Sequence, residues 1–350
     1  MPVKVSRKIT YLQFICALFI IGLHTAFAKH FGDVAGWSLW LNHAVRTLFD
    51  AATSVYFLVS AMLFYRAAEG KRYRDVLLAK AKTLAVPYLL WNTLLLLHTL
   101  VRGYLTNGYW PQFSVWELLS QWLVAPADSV LWFVQVLAGY TVLYPLILWG
   151  VRRIWPALAA IVITIVLCCG QWFPIPYASM LFWLPCYLTG ALLSYHQGKR
   201  MFKAPLFAHK WHYAWVFALF AALWALAPLD ARLYYLYWQL SPVLVWALSD
   251  PLACLPAPRW WVGASFYLFC SHLLFEHYAV KLYQRFLGTG TLSFALANLL
   301  LPCLCAGMAL LVAAVLRKTL PKVYALLTGG RVGMRAEVSA TASTPTQERL

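Results

Sequence analysis

Apolar runs of about twenty residues recur along the chain, separated by short segments in which the basic residues collect. A helix needs about 20 residues to cross the hydrocarbon core of a bilayer. The runs place candidate spans at 9–28, 44–65, 85–104, 129–150, 154–171, 178–196, 211–228, 234–250, 261–283 and 292–316. They are too long, and too uniformly apolar, to alternate as the strands of a membrane barrel do. Pro242 interrupts the eighth run and Asp250 ends it. The composition agrees: 63% of the residues are hydrophobic, only 11% are charged, and the mean hydropathy is +0.68. A soluble domain carries about 25% charged residues, and a globule of this size has no interior large enough for the apolar remainder. The expected fold class is an all-α integral membrane protein, a bundle of about ten transmembrane helices.

Charge sets the expected orientation. With the N-terminus inside, six of the 28 Lys and Arg residues fall on the outer side (Lys29, Arg46, Arg102, Arg232, Lys281 and Arg285), leaving 22 on the cytoplasmic side. That asymmetry reads as N-in, C-in by the positive-inside rule. The net charge of +17 therefore reports topology and not a nucleic-acid partner, because the aromatic residues interleave with Leu and Ala and not with Lys and Arg. Lys4, Arg7 and Lys8 before an apolar run ending in Ala26-Phe27-Ala28 imitate a secretory signal. Retention is expected, since the run leads into further spans and carries His24. The domain reading is a membrane domain over 1–325 and a cytoplasmic, disordered tail over 326–350, where hydrophobicity falls away after Pro321. The eight cysteines sit in or beside apolar runs without CxxC or zinc spacing, and imply neither metal nor disulfides.

Ionisable groups inside spans are costly and are functional candidates by default. Here they are His24, Asp50, His98, His272, Glu276 and His277. His24 lies in the outer half of the first span. His272 and Glu276, four residues apart in the ninth, share one helical face. A histidine can take a proton from a hydroxyl while that oxygen attacks an acyl carbonyl, and a nearby carboxylate can orient the imidazole. Each histidine also admits a plainer role as a hydrogen-bonded core residue, and His98 and Asp50 read as structural or interfacial. The long outer loop, about 105–128, holds Trp110, Trp116 and Trp122 with Glu117 and Asp128. Its rings suit either the headgroup belt or a platform for stacking sugars.

Five stretches in order resemble the acyltransferase family 3 proteins, multi-spanning O-acyltransferases of bacterial surface polysaccharides and related acceptors. ITYLQFICALFIIGLHT resembles the family's opening helix, with His24 at its histidine. TSVYFLVSAMLFYR resembles the second-helix segment, with Ser60 at its serine. LAKAKTLAVPYLLWN resembles the basic stretch and Pro-Tyr-Leu-x-Trp of the third helix. LWFVQVLAGYTVLYPLI resembles the Leu-Trp-Phe…Pro-Leu segment through Trp132, Phe133 and Pro145. SFYLFCSHLLF resembles the late Ser-Tyr-x-x-Tyr-Leu-x-His motif through Ser265 and His272. Two positions depart: Gln13 stands where the family usually has a basic residue eleven before the first-helix histidine, and Thr10 where Asp is common.

The resemblance implies an acyltransferase that takes an acyl group, acetyl in most of the family, from cytoplasmic acyl-CoA. The acceptor would be a hydroxyl of an extracytoplasmic glycan or lipid-linked sugar, the location a bacterial inner membrane, and no metal would be involved. His24 would act as general base, supported by His272 and Glu276. Arg7, Lys8, Arg72, Arg74, Lys80 and Lys82 form a basic rim suited to the donor's phosphates. Ser60, Trp132 and Ser265 are candidate substrate-binding residues. A homo-oligomer is compatible with this reading. The alternatives are a polytopic transporter or flippase of a glycan or lipid precursor, and a catalytically silent family member.

Overall fold

The computed structural model describes residues 1–32, 34–110, 112–126 and 129–331, and no strand occurs among them. Helices α1 (Val3–Thr25) and α2 (Gly36–Ala68) open the chain. Helix α3 (Tyr73–Lys80) runs through a π turn at Ala81–Ala85 into α4 (Val86–Asn107). There follow α5 (Val115–Leu123), α6 (Trp132–Val142), α7 (Tyr144–Arg153) and α8 (Trp155–Gly170). The last six are α9 (Met180–Met201), α10 (Lys210–Leu226), α11 (Ala231–Leu248), α12 (Ser265–Leu287), α13 (Thr291–Thr319) and α14 (Pro321–Leu327).

Each apolar run of the sequence falls on helix, but the helices are unequal. Five of the helical runs are long and apolar enough to cross a membrane: α1, α2, α3–α4, α10 with its 3₁₀ extension, and α13. A sixth arises if α6 and α7 form one span, bent by 69°. The bend falls where Tyr144-Pro145 opens α7: proline has no N–H to give and its ring crowds the preceding turn. The hydroxyl of Tyr73 donates to the carbonyl of Val142 at 2.8 Å, satisfying a group freed at that joint. Helix α8, at 16 residues, extends about 24 Å, short of a full hydrocarbon core.

Pro242 does not break α11. Proline lacks the N–H that would bind the carbonyl four residues earlier, Trp238. The thiol of Cys186 donates to that oxygen at 3.3 Å, so the helix runs on without a stranded acceptor. The segment 105–128 contains a helix of its own. Ser114 and Glu117 form a reciprocal capping box that starts α5, and the hydrogen bonds from Ser114 hold the Glu117 carboxyl below its usual range. Asp128 of the same loop lies outside the described residues.

Helix α2 is the axis of the bundle: 78% of its most apolar window is buried, against 6% for α10 at the periphery. Close approach explains this. A Cβ on Gly190 of α9 would lie 2.4 Å from the carbonyl oxygen of Leu58 and 2.9 Å from Cβ of Ala61, so only glycine lets the two backbones meet. Near the start of α1, Lys8 is fully buried, with Nζ 2.6 Å from Oδ1 of Asp250 and 3.9 Å from the centre of the Trp246 ring. Oδ2 of Asp250 accepts from the Tyr213 hydroxyl at 2.5 Å and from the backbone N–H of Leu206. Both charges are thus surrounded by partners, the condition for tolerating a buried ion pair. Residues beyond α14 turn back onto the bundle as far as Arg331. The rest of the tail expected to be disordered, from 332, lies outside the described residues.

Candidate active site

Helix α1 must end where its last carbonyls find donors, because no intrahelical N–H reaches them. Two side chains of α2 supply these donors. Nη1 of Arg46 donates to the carbonyl of Leu23 at 2.8 Å, and Nδ2 of Asn42 to that of Ala26 at 3.1 Å. A cation at a helix C-terminus also complements the helix dipole. These bonds bracket His24 on both sides and hold it half-buried in the last turn of α1.

His272 approaches from α12, far along the chain. It is fully buried, and its ring centre lies 5.2 Å from that of His24, with the planes inclined by 50°. Nδ1 of His272 lies 2.8 Å from the carbonyl oxygen of Phe269. A carbonyl only accepts, so Nδ1 carries the proton of the neutral ring and Nε2 presents a lone pair. Nε2 has no hydrogen-bond partner among the described residues.

His24 opens into a cavity of about 280 Å³ whose wall also includes Arg46, Asp50, Tyr56, Trp132 and Tyr177. Asp50 lies one turn beyond Arg46 on α2 and accepts a hydrogen bond from the Tyr234 hydroxyl. One side of the cavity is therefore charged and the other aromatic. Trp132 is stacked at 6.0 Å on Trp183 and met edge-on by Tyr177 at 5.2 Å. The Tyr56 ring lies beneath, with its hydroxyl donating to the carbonyl of Gln13 at 2.6 Å. Such a space offers a proton acceptor, a cation and flat apolar faces around one small void.

The structure brings together only part of the set expected from sequence. His24, His272 and Trp132 converge. Glu276 is half-buried one turn beyond His272, facing the charges of Lys29 and Arg102, and among the described residues no hydrogen bond or ion pair joins it to either histidine. The backbone carbonyl of Phe269 takes the orienting place that sequence spacing assigned to Glu276. Ser60 lies one turn below Tyr56 and Ser265 at the start of α12, neither on the cavity wall. His98 meets the Tyr278 hydroxyl at 3.3 Å at the surface. Of the basic rim, Lys8 is held by Asp250, so its charge is already matched. Arg7 donates to the carbonyl of Leu255 at 3.4 Å, and Arg72, Arg74 and Lys82 are exposed. Lys80 is half-buried, its ammonium 5.1 Å from the centre of the Phe64 ring. Arg46 and Tyr177 line the cavity and are absent from the set of site residues expected from sequence. Arg46 carried a signal, a cation within an apolar run; Tyr177 carried none.

These features describe a helical protein with membrane-capable spans and a small cavity with His24 on its wall. The family model of the acyltransferase family 3 domain matches residues 7–318, and the chain belongs to that family of acyltransferases. No curated protein and no solved structure matches the chain.

Proposed function

We propose that the protein is a multi-pass O-acyltransferase of the bacterial inner membrane, with ten helical segments and both termini inside. It passes an acyl group, acetyl in the simplest case, from cytoplasmic acyl-CoA to a hydroxyl of an extracytoplasmic glycan or lipid-linked sugar. The observation that carries this reading is His24 on the cavity wall with the fully buried His272 ring 5.2 Å from it, within a chain of this family. His24 removes the proton from the acceptor hydroxyl as its oxygen attacks the thioester carbonyl. The new C–O bond forms, the C–S bond breaks, and the departing thiolate takes up the proton that His24 accepted. His272, with its tautomer set by Phe269, lies beside His24 and offers its Nε2 lone pair to the proton that His24 accepts. The aromatic wall of Trp132 and Tyr177 suits the flat face of a sugar ring.

Replacing His24 by Ala in purified, reconstituted protein is expected to cut transfer from radiolabelled acetyl-CoA by about 10²–10⁴-fold, the usual worth of a general base. Full activity in that variant overturns the assignment. A flippase would share the broken α6–α7 segment, but transporters of that kind place a matching break in a second half. Among the described residues only one such bent pair occurs.

A further inference from the structure

Helix α2 turns a polar stripe toward the cavity. Arg46, Asp50 and Thr53 follow one another at intervals of four and three residues, so they share one helical face, and all three line the same void as His24. The residues between and beside them, Phe49, Ala51, Ala52 and Val55, are buried apolar core. Polar and charged side chains at such a place are costly unless something pairs with them.

Arg46 and Asp50 do not pair with each other. Among the described residues the one ion pair is that of Lys8 and Asp250, so the guanidinium and the carboxylate stand outside ion-pair distance although one turn separates them. Each is held by one bond and keeps the rest of its capacity. Nη1 of Arg46 donates to the carbonyl of Leu23 at 2.8 Å, and Cζ lies 4.7 Å from the centre of the Phe27 ring. No other hydrogen bond of this guanidinium occurs among the described residues, and a guanidinium carries five N–H donors. Oδ2 of Asp50 accepts from the Tyr234 hydroxyl, whereas Oδ1 has no hydrogen-bond partner among those residues. The aromatic wall is braced in turn: Trp183 stacks on Trp132 at 6.0 Å and meets Tyr177 edge-on at 5.0 Å. A ligand of this void therefore needs an acceptor for Arg46, a donor for Asp50 and an apolar face. An anion suits Arg46 and is repelled by Asp50, and a cation does the reverse. Two adjacent hydroxyls satisfy both, because each oxygen donates and accepts. A neutral sugar ring has such an edge, and its C–H face lies flat on an aromatic ring.

We propose that Arg46 and Asp50 are a specificity-determining pair for a neutral pyranose with two vicinal hydroxyls, held at its edge by the pair and at its face by Trp132 and Tyr177. Arg46 donates to one hydroxyl oxygen, and Asp50 accepts from the neighbouring hydroxyl. The acceptor class thereby narrows from glycans at large to neutral sugars with a free diol, and Asp50 turns acidic sugars away. That a hydroxyl of this ring is the one acylated beside His24 rests on the acyltransferase reading above; binding of the sugar does not.

The test uses the full-length protein in nanodiscs, with affinities read by saturation-transfer NMR titration. The probes are the methyl glycosides of glucose, galactose and mannose, their uronic acid counterparts, and their 3-deoxy analogues, in which no two ring hydroxyls are adjacent. At least one neutral glycoside is expected to bind at least tenfold more tightly than its uronic acid and 3-deoxy forms, because a site built to bond a hydroxyl is left with unpaired polar groups when it is missing. Arg46→Gln and Asp50→Asn should each weaken that glycoside at least tenfold. Asp50→Asn should also abolish the bias against the uronic acid, a change of preference that a merely structural role would not produce. Glu69→Gln, the same charge change at an exposed position, should alter binding less than twofold. Size-exclusion profiles establish that each variant is folded. Release of CoA thiol from acetyl-CoA is measured on the same preparations. Glycoside binding that depends on both residues, without thiol release by the parent, supports the pair while removing the acyltransferase reading. Thiol release by the parent, with glycoside binding within twofold of the parent in folded Arg46→Gln and Asp50→Asn, overturns the pair and leaves that reading standing. Equal binding of neutral and acidic glycosides by the parent, or binding of none of them, also overturns the pair.

Discussion

Two places in the bundle shelter cations, and they are built differently. Lys8 has everything a buried charge requires: a carboxylate at 2.6 Å, an aromatic face at 3.9 Å, and a counter-ion whose second oxygen is held by Tyr213 and Leu206. Arg331 and Lys80 have aromatic faces, Phe266 and Phe64, but no carboxylate in ion-pair reach among the described residues. Exposed cations such as Lys71, Arg152 and Arg153 need neither, because water solvates them. The contrast separates two uses of charge. A matched pair joins α1 to the turn after α11, whereas the second pair of cations is sheltered by aromatic rings alone among the described residues.

The comparison is sharpened first by its structural half. Lys8→Ala or Asp250→Ala leaves a lone buried charge and should destabilise the folded protein by about 3–5 kcal/mol. Replacing both together, Lys8→Met with Asp250→Leu, should recover most of that loss. Thermal unfolding in detergent reads the effect, and single variants that unfold with the parent would break the contrast. The other half should behave oppositely. Arg331→Gln should leave the unfolding temperature unchanged or raised, because it removes an unmatched charge. The smallest effect is expected for Gln13→Arg. With the basic rim already supplying positive charge, added charge on α1 should change donor affinity less than twofold, and a marked gain would indicate an incomplete pocket.

Much of this architecture is legible in sequence because the bilayer leaves a helix little choice. Runs of apolar residues must satisfy their backbone internally, so all ten candidate segments are helical. His24 and His272 were recognisable as costly ionisable groups, and the family motifs carried both. What sequence could not reveal are partnerships between distant helices. Nothing local to Lys8 announces Asp250, nothing near Arg46 says that it caps α1, and the Glu276 spacing that looked like an orienting carboxylate is occupied by the carbonyl of Phe269. Proline is ambiguous for the same reason. Pro242 is carried through because Cys186 reaches the stranded carbonyl, whereas Pro145 accompanies a bend of 69°.

The central claim is that His24 performs the chemistry and that the basic rim only holds the donor. The direct test is acetyl transfer from radiolabelled acetyl-CoA by reconstituted His24→Ala protein, with CoA affinity measured on the same preparation. The account predicts affinity within about twofold of the parent and transfer reduced about 10²–10⁴-fold. Transfer at the parental rate would contradict it.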